Sequence, residues 1–282
     1  MQIKSVLYSG IVIFLCVSIA YSDTVEKSGE INKKSVEYRA RVVQRQKEVQ
    51  ILDTSDNVIS KISLAPVSKT ITREGYTPND KNTYKIKRTI RKSAVASENQ
   101  KYFAIVSERD DRPASTPLGD GVSRGSIIMH DSEGNVLWEK ELPEGRIYNK
   151  KFISGNGEIL AVESSANWPC EDCGDKVYVY DKNGTEILSE IAKKIKAETN
   201  IAIWKISKLS PEGKYIALHA ENLSKERLKR DSALFVNLEN GKYWDSGSVY
   251  AVFSISNKGI VKAAKSGSDP VETFNLKELI GE

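Results

Sequence analysis

The sequence predicts an all-β domain, a β-propeller of about four or five blades, each a four-stranded antiparallel sheet, and three observations carry that expectation. A short unit, Ser-x-x-(Gly or Gln)-x-(Tyr, Ile or Val)-x-Ala, occurs four times, starting at Ser97, Ser154, Ser210 and Ser256. The first three copies are each followed by a second unit, 125–142, 175–191 and 232–247, in which an alternating apolar run meets Asp or Asn and then Gly. The starts lie 57, 56 and 46 residues apart, a period typical of repeat architectures.

Each element follows from residue type. In the first unit, Ser followed by Asn, Pro, Glu or Gly favours a tight turn, and Gly157, Gly213 and Gly259 supply a positive φ there, with Gln100 in the remaining copy. Alternating apolar residues then continue as a strand, and Ala104, Ala161, Ala217 and Ala263 mark places where neighbouring sheets can approach closely. In the second unit, Asp131, Asp181 or Asn237 followed by Gly134, Gly184 or Gly241 between alternating runs signals another hairpin. Two hairpins make a four-stranded sheet.

Residues 48–64 read as a second hairpin without its first, and Ser256 opens a first hairpin followed only by VETFNL (271–276). An N-terminal piece completing the C-terminal sheet would leave no strand edge open; the alternative is a fifth blade formed by 36–64 alone. The segment 65–92 holds a turn at TPND (77–80) and then a strand, and the Pro- and Gly-rich 109–125 reads as a long loop inside the first clear blade. In 186–198, Ile187, Ile191 and Ile195 also suit one helical face, but a strand through about Ile191 is expected, with room for a helical turn after it.

The pattern Ser-x-x-Gly-x-(Tyr/Ile)-x-Ala, then aliphatic-x-aliphatic-x-Asp-x-x-Gly-x-x-Leu-Trp, is clearest at Ser210–Ala217 and Ile127–Trp138. It resembles the WD-repeat-like and quinoprotein-like β-propeller superfamily over roughly 93–276. The chain lacks the Trp-Asp ending and Gly-His start of true WD repeats, and the full tryptophan set of quinoprotein blades. The resemblance therefore implies architecture, frequently with a binding role, and no particular function.

The N-terminus carries Lys4, an uncharged run from Ser5 to Ala20 and small residues at Ala20 and Ser22, which describes a signal peptide (1–22) cut before Asp23. The competing reading is a retained anchor; lipid attachment at Cys16 is disfavoured by Leu15 before it. Residues 23–35 are a polar linker and 36–282 the propeller-like domain. Without Lys4 the mature chain has 41 basic and 38 acidic residues, net +3, which argues against a nucleic-acid partner. With a mean hydropathy of −0.41, an exported, periplasmic or secreted, soluble protein is expected, with no stable membrane insertion after cleavage.

The mature chain keeps Cys170 and Cys173, both in WPCEDCGD, and an oxidising location makes a local disulfide the expectation. Glu171 and Asp172 disfavour the thiolate that a redox pair needs, and zinc lacks ligands in a chain with two histidines. DKNGTE (181–186) starts like a calcium loop but lacks the later bidentate Glu, so it reads as a turn. No cofactor or metal is expected. Asn183 and Asn222 each sit in an Asn-x-Ser/Thr sequon.

KNTYKIKRTIRK (81–92) has six basic residues and no acid. As a strand it places Lys85, Lys87 and Arg91 on one face with Thr89, a stripe suited to an anionic partner such as an envelope component or acidic protein. The plainer reading, which the sequence favours, is an edge strand guarded by lysines. The functional expectation is an exported, non-catalytic binding or scaffolding module. The alternative is a small propeller hydrolase or lyase using carboxylates with His130 or His219 in the central channel.

Overall fold

Residues Val36–Glu282 form one unit, and the computed structural model describes residues 37–74, 83–113, 122–142, 146–166, 176–222, 231–265 and 269–282. The unit is all-β, with five antiparallel sheets formed in chain order. Sheet 1 contains β1 (Arg39–Val43), β2 (Glu48–Leu52) and β3 (Val58–Ser63). Sheet 2 contains β4 (Val67–Glu74), β5 (Thr83–Ala96), β6 (Tyr102–Pro113), β7 (Val122–Asp131) and β8 (Val136–Leu142). Sheet 3 contains β9 (Arg146–Ile153), β10 (Ile159–Ala166) and β11 (Lys176–Asp181), and is followed by helix α1 (Leu188–Thr199). Sheet 4 contains β12 (Ile201–Leu209), β13 (Tyr215–Asn222), β14 (Asp231–Asn237) and β15 (Tyr243–Asp245). Sheet 5 contains β16 (Ala251–Ile255), β17 (Ile260–Ala264) and β18 (Glu272–Asn275), and α2 (Leu276–Ile280) closes the chain.

The serine turns are one device used four times. The Ser97 hydroxyl accepts the Tyr102 N–H at 3.1 Å, Ser154 that of Ile159 at 2.9 Å, Ser210 that of Tyr215 at 2.9 Å and Ser256 that of Ile260 at 3.0 Å. Position four is left-handed in every copy, with φ of 79° at Gly157, 79° at Gly213, 81° at Gly259 and 58° at Gln100. Asp53, Asp131 and Asp181 likewise accept backbone N–H groups two and four residues on, so 53–57 is a second-type hairpin, as its sequence suggests.

Consecutive turns stack. A Cβ on Gly157 would meet the Tyr102 ring at 2.1 Å and one on Gly213 would meet Ile159 at 2.3 Å, so each glycine lets its turn seat on the apolar residue of the preceding copy. Four hydrophobic layers join the sheets pairwise in chain order. Ala40, Val49 and Phe103 bind sheets 1 and 2, and Val106, Met129, Val162 and Tyr180 bind 2 and 3. Ala161, Val179, Ile216 and Leu234 bind 3 and 4; Ala217, Phe235, Tyr250 and Val261 bind 4 and 5.

The structure corrects four expectations about the elements. Strand number varies: among the described residues only sheet 4 has four strands. Among the described residues sheet 1 is a sheet in its own right and pairs none of its strands with sheet 5. Residues 188–199 are helical, because Leu188 and Ile195 bury one helical face against sheets 3 and 4; only the Tyr180–Glu186 bridge remains of the expected strand. The start of the presumed loop, 109–113, continues β6.

The fourth copy is out of step by one residue: its turn closes on Ile260, the fifth position, where the others close on the sixth. A one-residue change exchanges the faces of a strand. Ala104, Ala161 and Ala217 face the following sheet, whereas Ala263 faces back onto sheet 4, and the structural counterpart of those alanines is the exposed Lys262.

Candidate functional site at the long strands of sheet 2

In each meander the serine and aspartate hairpins fall at one end of the sheet, the hairpin end. The opposite end of each sheet is the loop end; residues 75–82, 114–121, 167–175 and 223–230 lie outside the described residues. WPCEDCGD, with Cys170 and Cys173, and TPND lie outside the described residues, as does the N-terminal segment. Among the described strands, those of sheet 2 are the longest, with 14 residues in β5 and 12 in β6.

Its extension is built on charge pairing across strands. Arg88 of β5 lies opposite Asp111 of β6, and its guanidinium donates to both carboxylate oxygens at 2.8 and 3.0 Å. Arg109 donates to the same carboxylate, with Nη2 to Oδ2 at 2.5 Å. Asp111 is only 2% exposed. Burial alone would push its carboxyl up, but hydrogen bonds from Arg109 and Arg88 outweigh it and bring the pKa down to about 2. Asp110 is buried on the opposite face, where Arg91 Nη1 approaches Oδ2 at 3.7 Å. The run RDDR reads as loop in isolation; the signal that could have placed it is its complement across the hairpin, KRTIR, since buried acids require paired cations.

Lys85, Lys87, Thr89 and Arg91 alternate onto one face of β5, with both lysines and Arg91 exposed. The edge-strand explanation does not hold: β4 pairs β5 from Thr83 to Ile90 and β6 pairs it from Ile86 onward. The edge is β4. Lys85 and Lys87 have no ion-pair partner among the described residues, while Arg91 is shared with Asp110.

The opposite face of sheet 2 holds a cleft of about 380 Å³ bounded by Lys92, Arg109, Arg124, Glu139 and Glu141. A second groove of about 340 Å³ runs between Val42, Leu64 and Pro66 and the Arg91–Ala94 segment of β5.

The two histidines lie apart, on β7 and β13. His130 stacks on Phe103 at 4.6 Å, its Nδ1 lies 3.1 Å from the Gly134 carbonyl oxygen, and its buried Nε2 has no hydrogen-bond partner among the described residues. His219 is half-buried; burial, with Lys150 and Lys205 nearby, lowers its pKa against the opposing pull of Asp231 and Glu163. Glu163 is 3% exposed and accepts the Ile206 N–H at 3.1 Å, tying sheet 3 to sheet 4. Among the described residues no group of three or more His, Cys, Asp or Glu side chains could hold a metal, and no helix is long and apolar enough to cross a membrane.

No family model matches the chain. A stretch of 159 residues is 26% identical to Cullin-3A of Arabidopsis thaliana, covering 56% of this chain but 19% of the cullin. Among solved structures, a "putative dipeptidyl aminopeptidase IV" from Bacteroides ovatus aligns over 86% of this chain and 52% of its own, at 9% identity and a TM-score of 0.27. The chain thus spans about a fifth of the first and about half of the second. Neither likeness brings a family with it.

Proposed function

We propose that the protein is an exported, non-catalytic binding module whose sheets are arranged as the blades of a propeller, and that it holds an anionic partner, an acidic protein or envelope polymer, on the Lys85–Lys87–Arg91 face of β5. The observation that carries this reading is two exposed lysines, without ion-pair partners among the described residues, in a strand that is paired on both sides. Their charge has no edge to guard and stands where a negative surface would meet it. The blade arrangement is supported by five meanders following one another in the chain, each packed on the next, and export by the N-terminal run that ends at Ala20 and Ser22.

The test uses residues 23–282 on an immobilised polyanion and on vesicles with and without anionic lipid. Wild type should be retained and should elute with rising salt. The K85E/K87E variant should bind at least tenfold more weakly at low salt with unchanged thermal stability, since exposed substitutions move stability by about 0.5 kcal/mol or less. Equal retention of the two proteins would defeat the assignment of this face. Mass measurement of the exported chain, expected to begin at Asp23, tests the export reading separately.

A further inference from the structure

On the face of sheet 2 opposite the lysine stripe, one row of side chains crosses four strands. Lys92 of β5 lies opposite Ser107 of β6, Ser107 opposite Ser126 of β7, and Ser126 opposite Glu141 of β8. Residues that pair directly across strands share a face, so the row reads cation, hydroxyl, hydroxyl, anion. All four line the 380 Å³ cleft, joined by Glu139 two residues along β8 from Glu141. At about 4.8 Å between strands, the backbone positions of Lys92 and Glu141 stand about 14 Å apart, too far for the two charges to neutralise each other through short contacts. Neither they nor Glu139 form an ion pair with a described residue, and the serine hydroxyls have no side-chain partner either.

Unspent charges of opposite sign at the two ends of a cleft, with hydrogen-bonding groups between them, match a ligand with the inverse pattern. From this row we infer that the cleft binds a short linear zwitterion, a free peptide of about three residues, with its carboxylate at Lys92, its ammonium at Glu139 and Glu141, and its backbone amides over Ser107 and Ser126. An uncharged ligand would leave both ends unpaired, and a purely anionic one, although Arg109 and Arg124 also border the cleft, would leave the two glutamates without a partner. The cleft is separate from the proposed anionic-partner face, so the two assignments stand or fall independently.

The test is calorimetric titration of residues 23–282 with triglycine, triglycine amide and N-acetyltriglycine. Saturable one-to-one binding of triglycine is expected, weakened about tenfold by neutralising either end. In K92M the amide should bind as well as triglycine itself, and in E139Q/E141Q the acetylated peptide should. These matched losses identify which end meets which residue. Absence of saturable triglycine binding, equal affinity for the three peptides, or variants that preserve the wild-type ranking would each overturn the inference. The three-peptide comparison on wild type decides it even if a variant fails to fold.

Discussion

At the hairpin end of the sheets, the bonds that recur run from a side chain to the backbone of its own turn: Ser97, Ser154 and Ser210 each cap the turn they start, and Asp53, Asp131 and Asp181 do the same in the second hairpins, while single contacts such as Asn156 Nδ2 to the Glu212 carbonyl reach the next turn. At the loop end, polar side chains reach across. Asp111 holds two arginines from two strands, and Glu163 fixes a neighbouring sheet. The first kind of bond is local and can be copied with the repeat, while the second depends on one particular partner and occurs once. The repeated turn bonds therefore carry the architecture, and the single long-range pairs carry what distinguishes this chain from another stack of meanders.

Breaking the hairpin end should have the largest effect. A methyl group on Gly213 would sit 2.3 Å from Ile159 Cγ1 while holding φ at 79°, so Gly213→Ala combines a left-handed penalty of about 1 kcal/mol with overpacking of about 1–3 kcal/mol. We expect a loss of about 3 kcal/mol in urea unfolding. Gly247 has φ of 62° with nothing within 4 Å of an added Cβ, so Gly247→Ala should show the backbone penalty alone, about 1 kcal/mol. Equal losses at the two positions would mean that the serine turns do not seat on one another.

The loop end should answer to acid. The carboxyl of Asp111 has a pKa of about 2 in the folded protein, against about 3.9 in an unfolded chain. A lowered folded value means that the contribution is complete above pH ~4 and is lost as pH falls from there toward ~2. Asp111→Asn should cost about 2 kcal/mol at neutral pH, less than for a fully buried pair because both arginines keep some access to water. It should also flatten the pH dependence of the midpoint between pH 4 and 2. An unchanged slope in that window would show that other carboxylates carry the acid sensitivity.

The same division decides what the sequence revealed. Local bonds leave local signatures, so Ser-x-x-Gly and Asp-x-x-Gly located the turns, and alternation located most strands around them. Asp110 and Asp111 looked like loop because their partners, Arg91 and Arg88, stand about 20 residues earlier. Helix α1 is ambiguous in sequence because its isoleucines satisfy either period and the deciding fact, a hydrophobic surface offered by sheets 3 and 4, is tertiary. The register of the fourth copy was hidden by Ala263, which matches the repeat by sequence offset while Lys262 occupies its structural position. The cleft was invisible for the same reason as the buried acids: Lys92 and Glu141 meet only through a register across four strands.

Gln100 offers the smallest and sharpest test of the repeat. Three copies place glycine at the fourth position and one places Gln100, yet all four adopt the left-handed conformation, Gln100 at 58°. Its backbone is held there by its N–H donating to the Ser97 carbonyl at 3.0 Å and by its own carbonyl accepting the Ala40 N–H at 2.8 Å, a bond into sheet 1. A side chain in this region costs about 1 kcal/mol relative to glycine, part of which glycine returns through the greater freedom of its unfolded state. Gln100→Gly should therefore raise stability by about 0.5 kcal/mol, a gain at a position where most substitutions lose, read as a higher urea midpoint at unchanged slope. A loss would instead mean that the Gln100 side chain contributes to the contact with sheet 1, making the first serine turn a specialised joint instead of a fourth copy of one device.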